Sequence, residues 1–284
     1  MSLDPALRPL AGRLLGRSPL RAWSLIVTMF GDAALPHGGR MALSTLLAMT
    51  DRIGIDSGAV RVSAHRLVRD GTLVSGREGR QAVYGLSEAG RALFARAAGT
   101  IYSTHRMESA NWRFLILAAD NARAESRRTL EEAGWRQVSA GFFANANGAV
   151  AAGDLAALRF DAAPLGSAGR ELAAQLWPLD ALSERYRALQ EALAPLTGHV
   201  PADPDDCMAM RLLLAHEYRR ILLSDPRLPD DCLPQDWPGH AVARTVAQMY
   251  RQLVEPAELW LCAQPGFSDT ADVARAALAV RFAV

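Results

Sequence analysis

From Asp56 or Ser57 to about Asp70 the helical period sets Arg61, Val62, His65, Arg66 and Arg69 on one side and Val60, Ala64, Leu67 and Val68 on the other. Three forked guanidinium groups on a short helix can read guanine edges or clamp phosphates. Further on, Gly76-Arg77-Glu78-Gly79-Arg80 separates the short runs Leu73-Val74-Ser75 and Gln81 to Leu86. A glycine-flanked hairpin tip with two arginines suits the backbone of a polyanion. Each feature alone is also what a solvated helix face or an ordinary turn would show. Their order, all within one short stretch of chain, favours a nucleic-acid surface.

The elements that must hold these residues are legible around them. Ser18-Pro19 can open a helix in which Leu20, Trp23, Val27 and Phe30 recur at helical spacing, and Gly31-Asp32 ends that run. After the turn-rich Pro36-His37-Gly38-Gly39, Leu43, Leu46 and Leu47 mark a second helix. Asp56 or Ser57 caps the arginine-faced third helix and Gly71 stops it, while Ser87 caps another helix running past Phe94 toward Tyr102. Helix, helix, arginine-faced helix and hairpin together predict an N-terminal winged helix-turn-helix.

Beyond it the pattern changes. Trp112 to Ala119 reads as a strand, Asp120 to Ala133 as a charged helix and Trp135 to Gly141 as a second strand, the start of a βαβ arrangement. Trp177-Pro178-Leu179-Asp180 marks a boundary, followed by a helix over Leu182 to Leu193, a loop from Pro195 to Pro204 and a helix from about Asp205 to Leu223. On that last helix Met210, Leu213, Leu214 and Ile221 form a core stripe, and His216, Arg219 and Arg220 group near one face. The Ala-rich tail beyond Pro265 has no assigned fold.

Charge divides the chain in the same place. Residues 1–100 hold 13 Arg against 7 acids, and residues 101–284 hold 18 Arg against 23 acids, so a basic front end precedes a mildly acidic remainder. There is no lysine, and all 31 basic residues are Arg, so every phosphate contact would use a guanidinium. No apolar run is long enough for a membrane span and the N-terminus lacks signal-peptide character, which points to the cytoplasm. The 3 cysteines, Cys207, Cys232 and Cys262, are widely spaced without a CxxC, which suggests neither a disulfide framework nor a zinc site.

Two sets of strings resemble a known family. Ser24 to Asp32 and Val60 to Gly71 in the head, then His216 to Pro229 and Leu233 to Gly239 far along the chain, are similar to the PaaX-type repressors of phenylacetic acid catabolism, in the same order. The resemblance covers roughly residues 20–262. It implies an α+β, multidomain regulator. The parts would be a winged-helix domain with its following helix over 1–106, a ferredoxin-like middle domain over 107–178, a helical C-terminal domain over 179–264 and a tail over 265–284. It further implies a homodimer that represses by occupying double-stranded operator DNA and lets go on binding phenylacetyl-CoA or another aryl- or acyl-CoA. Phe142-Phe143-Ala144-Asn145-Ala146-Asn147 stands where that family usually carries a more strand-like segment with proline.

On this reading Arg61, Val62, His65, Arg66 and Arg69 contact the major groove, and Arg77 and Arg80 the flanking backbone. His216, Arg219 and Arg220 have two readings: internal salt-bridging and capping groups, or ligands for the phosphates of an acyl-CoA or for a carboxylate. His216-Glu217 is not a zinc-protease pair, because Arg220 stands where the second His belongs. Asp120 closes the first middle strand, where it can cap a helix or serve as a nuclease carboxylate. No nucleophile elbow, Walker loop or dinucleotide fingerprint is present, so neither an enzyme nor a resident cofactor is expected. The competing classes are a metal-dependent nuclease through Asp120, a CoA-ester hydrolase through His216, and a winged helix used for protein contact.

Overall fold

The computed structural model describes residues 3–16, 22–103, 111–118, 124–146, 157–163 and 165–282. Ser18, Leu20, Asp120 and Asn147 lie outside the described residues. The chain forms two compact units, one from Met1–Thr104, Ala188–Leu222 and Ala241–Val284, the other from His105–Arg187 and Leu223–His240. Among the described residues it is a mixed α+β protein with two small sheets. The helices expected to make a C-terminal domain of their own are thus shared between the units.

In the first unit α1 (Arg8–Leu15) and α2 (Ala22–Met29) precede a short strand β1 (Arg40–Ala42), α3 (Leu43–Ile53) and α4 (Ser57–Arg69). The hairpin β2 (Leu73–Glu78) and β3 (Gln81–Leu86) follows, then α5 (Glu88–Ile101). β3 lies between β1 and β2, antiparallel to both. Asp56 caps α4 through a 2.9 Å bond from the Ala59 N–H, and Ser87 caps α5 through the Gly90 N–H. Gly71 ends α4 at φ 74°, a left-handed conformation that favours glycine. α2 and α3 both pack on α4 through its buried Val60, Ala64 and Leu67.

One expected boundary is corrected. Gly31-Asp32 does not end the helix, because α2 passes into a π turn over Phe30–Ala34 and then a 3-10 turn over Leu35–His37. The wider turn delivers Asp32 into the interior, where cationic and phenolic donors satisfy it, so an acid that reads as a helix stop is a core residue.

α9 (Pro204–Leu222) also departs from expectation. Its burial is not a stripe, for Asp206 through Tyr218 are buried without a break, including Arg211, His216 and Glu217. α1, α2 and α3 all pack on it, so it runs through the interior of the unit. α11 (Ala271–Ala279) gives the Ala-rich tail a helix, with Ala274 and Leu278 buried.

The second unit holds an antiparallel sheet of β4 (Trp112–Leu117), β5 (Arg136–Ser139), β6 (Phe142–Asn145) and β7 (Ala157–Ala162), in the order β5-β6-β4-β7. The Phe142 segment, read as less strand-like, is a full partner of β4, and period-2 alternation explains it. Phe143 faces a core of Leu115, Leu117, Leu130 and Trp135. Phe142 turns to the opposite face and stacks on Phe114 at 5.4 Å. α6 (Ala124–Glu132) supplies Leu130 to that core, and α7 (Ser167–Leu176) and α8 (Leu179–Leu193) follow β7. Within this unit Tyr186 donates to Asp225 at 2.7 Å, and His240 lies 3.0 Å from Asp230.

Candidate nucleic-acid interface

On α4 the two predicted faces separate cleanly. Val60 and Ala64 are wholly buried and Leu67 nearly so, while Arg61, Val62, His65, Arg66 and Arg69 are exposed. Val62 is 71% exposed among these charged groups. Val68, read with the core side, is only half-buried. Arg66 lies 5.7 Å from the Trp23 ring centroid and 3.4 Å from Asp70, which steers its guanidinium without burying it. Asp70 also draws Arg69 at 3.7 Å. These exposed pairs hold the groups loosely enough to exchange a carboxylate for a phosphate. The His65 ring meets Tyr84 of β3 edge-on at 6.4 Å, which joins the helix face to the hairpin.

At the hairpin tip Arg77, Gly79 and Arg80 are exposed, and Gly79 takes φ 58° to close the turn. Arg40 of β1 reaches Glu78 of β2 at 2.5 Å, so the one acid of the tip is partly neutralised from the far side of β3. The surface carries cationic groups in two places, on a helix and on a loop, built from one continuous stretch of chain.

His216, Arg219 and Arg220 do not assemble into one exposed group. His216 is buried, with Nδ1 2.9 Å from Thr28 Oγ1. Arg219 donates to the Ser24 carbonyl at 3.0 Å, and burial pulls its guanidinium below the usual range. Arg220 turns back to Glu217 at 3.9 Å. His216 and Arg219 thus tie α9 to α2, while the Arg220 pair lies within α9 itself.

The strongest polar cluster of the first unit had no counterpart in the sequence reading. Asp32 is fully buried and accepts from Arg211 Nε at 2.8 Å, Arg281 Nη1 at 3.0 Å, Tyr102 at 2.6 Å and Tyr250 at 2.7 Å. Burial alone would raise its pKa, but the two guanidinium groups outweigh that and hold the carboxyl below its ordinary range. Arg211 also donates to Glu258 at 2.6 Å. α10 (Gly239–Cys262) supplies Tyr250 and Glu258, and the turn after α11 supplies Arg281. The partners lie 179 and 249 residues from Asp32, a separation with no local signal.

A two-unit α+β protein with an exposed arginine face on a capped, core-backed helix is the class these observations define. The sequence profile described as PaaX-like protein matches residues 21–90, and that described as PaaX-like protein C-terminal domain matches residues 177–263. Together they span more than half of the chain, which belongs to the PaaX family. It is similar to the transcriptional repressor PaaX of Escherichia coli strain K12, with 29% identity over 282 residues, covering 90% of this chain and 87% of that protein. That relative is a regulator and not an enzyme. A solved structure of an uncharacterised Mycobacterium tuberculosis protein shares the fold, with a TM-score of 0.55 and 23% identity, covering 84% of this chain and 97% of that one. Among the described residues no helix is long and apolar enough to cross a membrane.

Proposed function

We propose that this protein is a DNA-binding transcriptional repressor whose first unit reads its operator through a winged helix-turn-helix. On this reading α4 enters the major groove, the β2–β3 hairpin lies along the backbone, and a homodimer presents two such heads to a palindromic site. The observation that carries it is the α4 face itself: Arg61, Val62, His65, Arg66 and Arg69 exposed together on a helix whose other side is core. The E. coli relative's role as a transcriptional repressor supports the reading.

The second unit is proposed as a ferredoxin-like domain, which the antiparallel order β5-β6-β4-β7 supports. Release is assigned to an aryl- or acyl-CoA such as phenylacetyl-CoA, acting on an aromatic-acid catabolic operon in the cytoplasm. About tenfold release requires about 1.4 kcal/mol of differential binding between the DNA-competent and incompetent states. His216 and Arg219 are directed at α2, so in this proposal they hold the fold rather than the effector.

Fluorescence anisotropy with the duplex upstream of the protein's own gene, against a scrambled duplex of equal composition, tests the reading. The upstream duplex should bind more tightly, and Arg61→Ala should erase most of that preference. Equal affinity for both duplexes at every salt concentration would overturn it. Titration calorimetry with phenylacetyl-CoA and with alkyl-CoA analogues then separates the effector classes.

A further inference from the structure

A second group of side chains lies away from the α4 face, where the 3-10 turn before β1 meets α10. The His37 side chain is fully buried, and its Nε2 is 2.7 Å from Glu258 Oε2. Cys262 stands four residues beyond Glu258 on α10, so both project from the same helix face. One donor atom from each of His37, Glu258 and Cys262 lies within 4.8 Å of the others: an imidazole nitrogen, a carboxylate oxygen and a sulfur. Glu258 and Cys262 are partly exposed, which leaves a way in from solvent.

We propose that His37 Nε2, Glu258 Oε2 and Cys262 Sγ bind one zinc-type transition-metal ion, with water in the fourth position. Nitrogen, oxygen and sulfur donors in one place select such an ion over calcium or magnesium, which take oxygen alone. Metal–ligand bonds of about 2.0–2.3 Å set tetrahedral donors roughly 3.3–3.7 Å apart, so the 2.7 Å His37–Glu258 pair opens to admit the ion.

The surroundings support the assignment. His37 Nδ1 is 2.7 Å from Thr270 Oγ1, and Phe267 packs edge-on against the ring at 5.0 Å, so the imidazole is held with Nε2 toward Glu258. Such outer partners fix a ligating histidine's tautomer and direction. Arg211 binds Glu258 through Oε1 at 2.6 Å, leaving Oε2 for the ion. A neutral imidazole, one carboxylate and one thiolate balance a divalent charge, and Arg211 keeps Asp32 Oδ2 as a second partner at 2.8 Å. A hydrogen-bonded His–Glu–Thr chain accounts for three of these groups but gives Cys262 no task.

The ion would tie the turn that leads into β1 to a helix 221 residues further along the chain. It therefore joins the head to the elements that carry α10 and α11 within the first unit. The inference does not depend on DNA binding.

Cobalt(II) titration of the full-length, chelator-treated protein tests it, because a thiolate–cobalt charge-transfer band reports sulfur ligation directly. One equivalent should bind, with that band and tetrahedral d–d absorption, and zinc should displace it. Cys262→Ser should abolish the band while circular dichroism shows the fold retained. Thr270→Val keeps all three ligands and should weaken zinc binding by about tenfold or more. The proposal is overturned if the folded protein takes up no stoichiometric cobalt, or if the band survives Cys262→Ser and so belongs to Cys207 or Cys232.

Discussion

Two sets of arginines in the first unit have opposite surroundings. Arg211 and Arg281 are buried and converge on Asp32, whereas Arg61, Arg66, Arg69, Arg77 and Arg80 stand in water. The side chain is the same in a chain without lysine, so the difference comes from the counter-charge each set has. Buried guanidinium groups need a carboxylate and full hydrogen bonding, because desolvating an unpaired cation costs several kcal/mol. Exposed ones need no internal partner and remain available to an external anion. The buried set holds the fold and the exposed set is free to recognise.

The largest expected effect comes from removing the buried counter-charge. Asp32→Asn leaves Arg211 and Arg281 facing a neutral amide and should destabilise the protein by about 3–5 kcal/mol in urea denaturation. The same variant should change the acid response. The folded Asp32 pKa is depressed, so its contribution is complete above the ordinary carboxylate range and is lost as pH falls through the folded value. Wild-type stability should therefore fall on acidification more steeply than that of Asp32→Asn. A loss below about 1 kcal/mol at neutral pH would break the contrast between the two sets.

Arg281→Met is milder, because Arg211 and both tyrosines still serve Asp32. It should cost about 2 kcal/mol by the same measurement. Arg61→Ala sharpens the comparison from the other side. Its stability should stay within about 0.5 kcal/mol of wild type. Its affinity for the preferred duplex should fall by about 1–3 kcal/mol in anisotropy, with little change on the scrambled one. The smallest effect belongs to Arg80→Ala, which should weaken all duplexes nearly equally and reduce the salt slope by about one unit. Selective loss from Arg80→Ala and uniform loss from Arg61→Ala would reverse the roles given to hairpin and helix.

Much of the α4 surface was legible in the sequence because its determinants are local. The Asp56 cap, the Gly71 stop, the apolar period of Val60, Ala64 and Leu67 and the glycine at the hairpin tip each act within one or two turns of chain. Val68 shows the margin of error, since helical spacing put it with the core and the packed helix leaves it half-buried. The α9 residues were harder, as Met210, Leu213 and Leu214 suggested a one-sided helix while its polar members Arg211, His216 and Glu217 are buried as well. A buried polar residue looks exposed in a sequence until its partner is known.

What the sequence determined alone was the order of helices and hairpin in the head, its basic charge and the direction of the exposed arginines, since helical and strand periods are set by neighbours along the chain. Only the tertiary structure decided that Asp32 is a core acid rather than a helix stop, and that His37, Glu258 and Cys262 stand together. Those outcomes depend on burial and on partners more than 170 residues away, where charge and hydrogen bonding act through space and leave no periodic trace.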